Sequence, residues 1–204
     1  MIGTLTTALG IGLSLYVSQV AYYQGGLFSW HPILMSVSAL GLSTAGIQAV
    51  RSRHGVGGIQ PKTQRVQVHS ALSNLGVASM LGGLYAIYSN KERMGKNHWT
   101  SWHSWVGLLA IALWVANVAV AGTHTADLRK KRLVFLWTSR NHRWLGMAAF
   151  CAGLAAVVLG FFSGWGMRSL GAERGVWSLT LGVVGLVVGV VTAKREGSSL
   201  KKKA

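Results

Sequence analysis

The stretch Asn90-Lys-Glu-Arg-Met-Gly-Lys-Asn-His-Trp-Thr-Ser-Trp-His-Ser-Trp-Val-Gly107 decides how the 204-residue chain is read. It holds two of the seven histidines and three of the nine tryptophans, and it ends at the mouth of a long apolar run. Trp99, Trp102 and Trp105 suit the headgroup level of a bilayer, where an amphipathic ring has one apolar and one wet side. His103 then falls inside the apolar segment. An ionisable side chain at membrane depth is costly, so it marks a functional site by default.

Working outward, six apolar segments are legible, at roughly 3–23, 29–50, 67–89, 101–122, 142–163 and 175–193. Each is long enough to cross ~30 Å of hydrocarbon. The first lacks the basic n-region of a secretory signal and its apolar run is too long for one, so it reads as a retained helix. Short connections predict antiparallel neighbours in one all-α, polytopic bundle. Residues 1–204 then form a single transmembrane domain, with its core over 27–165 and a basic tail over 194–204. No extended polar stretch is left to house a flavin or nucleotide domain. Half of the residues are hydrophobic, 12% are charged, and 27 are glycine, which suits close packing of helices in lipid. The one cysteine, Cys151, lies in an apolar span and reads as a small packing residue.

The formal charge of +16 would suggest nucleic acid in a soluble protein. Here the bases sit in short loops between apolar spans, so membrane orientation explains them and no nucleic-acid partner is expected. Arg51, Arg53, Lys62, Arg65, Arg129, Lys130, Lys131, Arg132, Arg140, Arg143, Lys194, Arg195, Lys201, Lys202 and Lys203 fall on one side. Lys91, Arg93, Lys96, Arg168 and Arg174 fall on the other. The positive-inside rule therefore places both termini in the cytosol of an integral, multi-pass membrane protein.

Four histidines stand at four helix entrances: His31, His69, His103 and His142. Alternating helix directions put His31 and His103 at the outer side, His69 and His142 at the cytosolic side. One such histidine near a helix end is more often an interfacial or capping residue than a ligand. Four of them, sorted into two pairs by an independent charge count, reverse that preference. Two imidazoles on facing helices are what a six-coordinate haem needs, and bundle cores are where such groups are held. Ser73, Gly107 and Gly146 follow three of these histidines by four residues, on the same face, and leave room for a flat group; Met35 follows His31. His54 and His124 read as loop residues in solvent. His98 stands on the outer surface ahead of His103, among Lys91, Arg93 and Lys96.

Several local patterns complete the picture: Leu27-Phe-Ser-Trp-His-Pro32, Lys62-x-x-Arg65-x-x-x-His69, Asn90-Lys-Glu-x-x-Gly-Lys-x-His98-x-x-Ser-Trp-His103-x-x-x-Gly107 and His142-Arg143-x-x-Gly146. In order and spacing the chain resembles the cytochrome b561 family, particularly its short members made only of the six-helix domain. The likeness spans most of residues 25–165. It implies a four-helix core holding two haem b groups, with His31 and His103 ligating the outer iron and His69 and His142 the cytosolic one. It also implies electron transfer from cytosolic ascorbate to monodehydroascorbate or ferric chelates on the opposite side, and a homodimer in many members.

Around that chemistry, Lys62 and Arg65 share a face with His69 if the helix reaches that far back. They and Arg140 and Arg143 are candidates for haem propionates or an anionic reductant, against the plainer reading of positive-inside charge. Lys91 and Lys96 are more informative, because topology keeps the outer side nearly free of bases. With His98 as a proton or hydrogen-bond donor they are candidates for receiving an anionic acceptor. Two other readings stand beside this one: a haem-bearing anchor subunit serving quinone, and a haem-free transporter using the histidines as a proton relay.

Overall fold

Gly25 and Gly26, at φ 67° and 77°, break the first apolar run from the second. Left-handed backbone of this kind is cheap only for glycine, and the Gly25 N–H closes the turn onto the Tyr22 carbonyl. The computed structural model describes residues 2–52, 54–55, 58–59, 61–127 and 140–192. Helix α1 spans Ile2–Gln24 and α2 spans Gly26–Ser36. A π-helical segment, Val37–Leu42, carries α2 into α3, Ser43–Arg51. A two-residue antiparallel pairing of β1, His54–Gly55, with β2, Gly58–Ile59, precedes α4, Lys62–Arg93. Then follow α5 (Trp102–Asp127), α6 (Arg140–Phe161), the short α7 (Gly164–Ser169) and α8 (Ala172–Thr192).

Six helical stretches are long and apolar enough to cross a membrane, and they coincide with the six expected segments. The differences lie at the ends. Helix α4 starts at Lys62 and so includes Arg65, because polar residues extend it beyond the apolar run. Helix α5 continues to Asp127, so the backbone at His124 is helical and not a loop. Helix α7 falls between the fifth and sixth expected segments, where no element was expected. Arg53, Arg129, Lys130, Lys131, Arg132 and the basic tail at 194–204 lie outside the described residues.

Helices α2, α4, α5 and α6 form the centre, with α1 and α8 packed along one flank. Small and hydroxyl residues set these approaches: Thr6, Gly10 and Ser14 are buried on α1. A Cβ on Gly10 would collide with the carbonyl of Leu40 in the π segment, and one on Gly189 with Thr6. Close backbone approach is how helices associate where lipid removes the hydrophobic drive between them. The wide π turn is pinned by hydroxyls. Ser43 Oγ donates to the Ser38 carbonyl (2.7 Å), and Ser38 Oγ to Gly76 on α4 (2.7 Å). At mid-height the Trp114 ring of α5 packs against Gly153 of α6, where a Cβ would stand 2.6 Å from the ring. Leu40, Phe150 and Leu186 are fully buried, whereas Leu5, Leu15, Tyr85 and Leu181 face outward on the spans.

Candidate functional site

Each histidine of interest is placed by an element end. Helix α5 begins with a reciprocal cap: the Ser101 N–H donates to Ser104 Oγ (3.1 Å) and the Ser104 N–H to Ser101 Oγ (3.3 Å). This satisfies amides the first turn leaves open, a contribution of about 1 kcal/mol, and holds His103 in that turn. His103 then donates Nδ1–H to the Ala156 carbonyl of α6 (2.8 Å). His31 of α2 donates likewise to Gly83 of α4 (3.1 Å), and His69 of α4 to Gly46 of α3 (2.9 Å). A carbonyl only accepts, so the proton is on Nδ1 in all three rings. In the neutral ring this leaves the lone pair on Nε2, the form a metal ligand requires.

The rings meet in the two pairs expected. His31 and His103 have ring centroids 5.9 Å apart and planes 89° apart; His69 and His142 have 6.1 Å and 89°. Two metal–nitrogen bonds of ~2 Å with half a ring on either side span ~6 Å, so the spacing of each pair suits one metal held between its two rings. Among the described residues no group of three or more His, Cys, Asp or Glu could hold a metal ion. A macrocycle that brings its own four nitrogens fits such a two-ligand site. Gly160 adds to the cradle, since a Cβ there would stand 3.1 Å from His103 Cε1. Ala156 and Gly83 lie fourteen residues after His142 and His69 on their helices. At 1.5 Å per residue the two pairs are thus ~21 Å apart along the bundle.

A cavity of about 360 Å³ contains the His31–His103 pair and reaches His98, Lys91 and Trp99 at one mouth. The loop there is built by the end of α4. Gly95, at φ 60°, donates to Glu92, and the Lys96 N–H returns to the Lys91 carbonyl (3.0 Å), a Schellman turn. That turn folds the following residues back over the last turns of α4. His98 stacks on Tyr88 (centroids 4.3 Å, planes 20°) and its Nε2–H donates to Glu92 Oε1 (2.7 Å). Lys91 Nζ donates to the Asn97 carbonyl (3.0 Å), while Lys96 is exposed. The surroundings of His98 thus include an acid as well as bases. Phe28 links His31 to Trp165 at the same end, with centroids 6.3 and 5.9 Å away, and Trp165 Nε1–H donates to Gln24 (2.6 Å).

At the opposite end Arg65 is 8% exposed and gives Nη1 to the Ser52 carbonyl (3.0 Å), tying α4 to the end of α3. It stands one turn before His69, and Lys62 opens the same helix. Arg140 and Arg143 are exposed around His142. The carbonyl acceptors, Tyr88, Glu92 and the buried Asn117 escaped sequence reasoning. Only Glu92 left a signal, as one of four acids in the chain.

The sequence pattern described as eukaryotic cytochrome b561 matches residues 30–167, most of the chain and all four paired histidines. The chain belongs to the cytochrome b561 family. Members of this family bind haem b, the group the paired imidazoles fit. Similar proteins include the transmembrane reductase CYB561D2 of Bos taurus, 28% identical over 183 residues, 88% of this chain and 80% of that one. The probable transmembrane reductase CYB561D1 of Mus musculus is 24% identical over 182 residues, 89% of this chain and 78% of that one. A lysosomal membrane ascorbate-dependent ferrireductase, CYB561A3 of Rattus norvegicus, is 29% identical over 104 residues, 47% of this chain and 40% of that one. These cytochrome b561 relatives match a chain whose six apolar spans make it an integral, multi-pass membrane protein.

Proposed function

We propose that this chain is a transmembrane oxidoreductase. It holds two b-type haems and passes electrons from cytosolic ascorbate to monodehydroascorbate or a ferric chelate on the opposite side, with both termini cytosolic. The observation that carries the reading is the pair of facing imidazole sets, 5.9 and 6.1 Å between centroids, stacked along one bundle. The names of the bovine and mouse relatives point to reductase activity, and that of the rat relative to ascorbate and ferric iron.

In this reading His31 and His103 hold one haem, and His69 and His142 the other. A haem bound by two imidazoles supplies a one-electron couple and no open coordination position. The chain does the rest. Backbone carbonyls of Gly83, Gly46 and Ala156 fix three imidazoles in orientation and tautomer. Lys62, Arg65, Arg140 and Arg143 give the cytosolic end a positive field that draws an anionic reductant. At the other end Lys91, Lys96 and His98 receive the anionic acceptor. Glu92 occupies Nε2–H of His98, so Nδ1 is the nitrogen left to meet the acceptor; it donates there after taking a proton from solvent, with Tyr88 holding the ring flat.

The test uses the purified chain in vesicles with a ferric chelate trapped inside and ascorbate added outside. Ascorbate-dependent ferrous formation well above protein-free vesicles is expected. Formation no faster than in protein-free vesicles would contradict the function.

A further inference from the structure

Three of the four paired imidazoles obey one rule of register. His31 donates to Gly83, fourteen residues beyond His69 on α4. His69 donates to Gly46, fifteen beyond His31 across the π segment. His103 donates to Ala156, fourteen beyond His142 on α6. Each ring is thus held at the level reached by counting fourteen or fifteen residues from the other histidine of its own helix pair. The same count from His103 along α5 assigns the position belonging to His142, and that residue is Asn117.

Of these four positions only Asn117 carries a polar side chain; the others are Gly, Gly and Ala. It is 8% exposed, and its Oδ1 accepts no hydrogen bond among the described residues. Its Nδ2 stands 2.9 Å, and its Oδ1 4.0 Å, from where a Cβ on Gly146 would be. Gly146 is one helical turn after His142 on the same face. The carboxamide therefore lies against the helix face that bears His142. A buried acceptor left without a donor is costly, and in a span as apolar as α5 a polar side chain kept at that cost marks a task.

From this placement we infer that Asn117 is a positioning residue of the His69–His142 site, its carboxamide turning over about its terminal bond to give its oxygen to the His142 imidazole. The inference rests on the reading that this pair holds a haem. An oxygen accepting the outer N–H of a metal-holding imidazole would make that ring more electron-rich and would favour ferric iron over ferrous. The carboxamide would then hold the potential of one haem down and leave the other untouched. Gly83, Gly46 and Ala156 act through main-chain carbonyls, which side-chain substitution cannot remove. At Asn117 the effect is open to direct substitution.

The experiment is a potentiometric titration of the purified full chain, followed by its visible spectrum, for wild type, Asn117→Leu and Asn117→Asp. Wild type must first show two b-type components; a single component overturns the two-haem reading itself. Given two, Asn117→Leu is expected to shift one midpoint upward by about tenfold in the reduction equilibrium, ~59 mV for one electron. The other midpoint stays in place. Asn117→Asp keeps an acceptor of the same shape and is expected to leave that midpoint at or below the wild-type value. Two unmoved midpoints in Asn117→Leu, or equal shifts of both, overturn the inference. Should the leucine variant fail to fold, an upward shift of either midpoint in Asn117→Asp overturns it instead.

Discussion

His103 Nδ1 and the Ala156 carbonyl stand 2.8 Å apart, and Gly160 sits one turn beyond Ala156 with no side chain to crowd the ring between them. A Cβ at Gly160 would come within 3.1 Å of Cε1 and 3.2 Å of Nδ1. These contacts are tight enough to tilt the imidazole off its acceptor. Overpacking of this kind costs ~1–3 kcal/mol. Loss of a ligand's outer hydrogen bond weakens metal binding by roughly 10–100-fold.

Gly160→Ala is therefore expected to lower the occupancy or shift the spectrum of the His31–His103 haem and to spare the other. Gly12→Ala, where a Cβ meets nothing within 4 Å, is the matched control. Haem content per chain and the visible bands of both variants check this. Equal behaviour of the two variants would show that Gly160 is not part of the cradle.

His98→Ala should leave both haem spectra and reduction by ascorbate intact and slow reoxidation by an anionic acceptor, by about 10-fold or more if the ring moves a proton. Glu92→Gln should slow it less, because an amide oxygen still accepts Nε2–H and keeps the ring in place. Stopped-flow reoxidation with monodehydroascorbate and ferric chelates measures both. Wild-type rates in His98→Ala with every acceptor would make the residue a surface group only.

At the other end, Lys62→Ala combined with Arg65→Ala should slow reduction by ascorbate, with an effect that shrinks as salt screens the field over ~10 Å at 0.1 M. Arg65 also anchors Ser52, so its loss carries a structural cost of ~1–3 kcal/mol. Arg65→Lys in the Lys62→Ala background separates the two effects by restoring charge without the guanidinium fork. An unchanged rate at low ionic strength in the double variant rules the attraction out.

The spans and the histidine pairing were legible because hydropathy and loop charge are properties of residue type. Lys62 and Arg65 proved to lie in the helix of His69 for the same reason, as the polar start of α4. What escaped is set by backbone. The acceptors for His31, His69 and His103 are carbonyls, which every residue has, so nothing in Gly83, Gly46 or Ala156 announces them. Glu92 meets His98 only because Gly95 turns the chain back, and six residues of separation otherwise suggest no contact. The π segment at Val37–Leu42 reads as ordinary apolar helix until Gly10 and Leu40 are seen together.

The central claim is that the chain holds two haems, each gripped by one histidine pair. Haem quantification and reduced-minus-oxidised spectra of wild type, His31→Ala, His103→Ala, His69→Ala and His142→Ala test it most directly. Two haems per wild-type chain are expected. His31→Ala and His103→Ala should lose one spectral component, His69→Ala and His142→Ala the other, with the surviving component showing that the fold persists. Loss of the same component in His31→Ala and His69→Ala, with the other retained in both, would contradict the account.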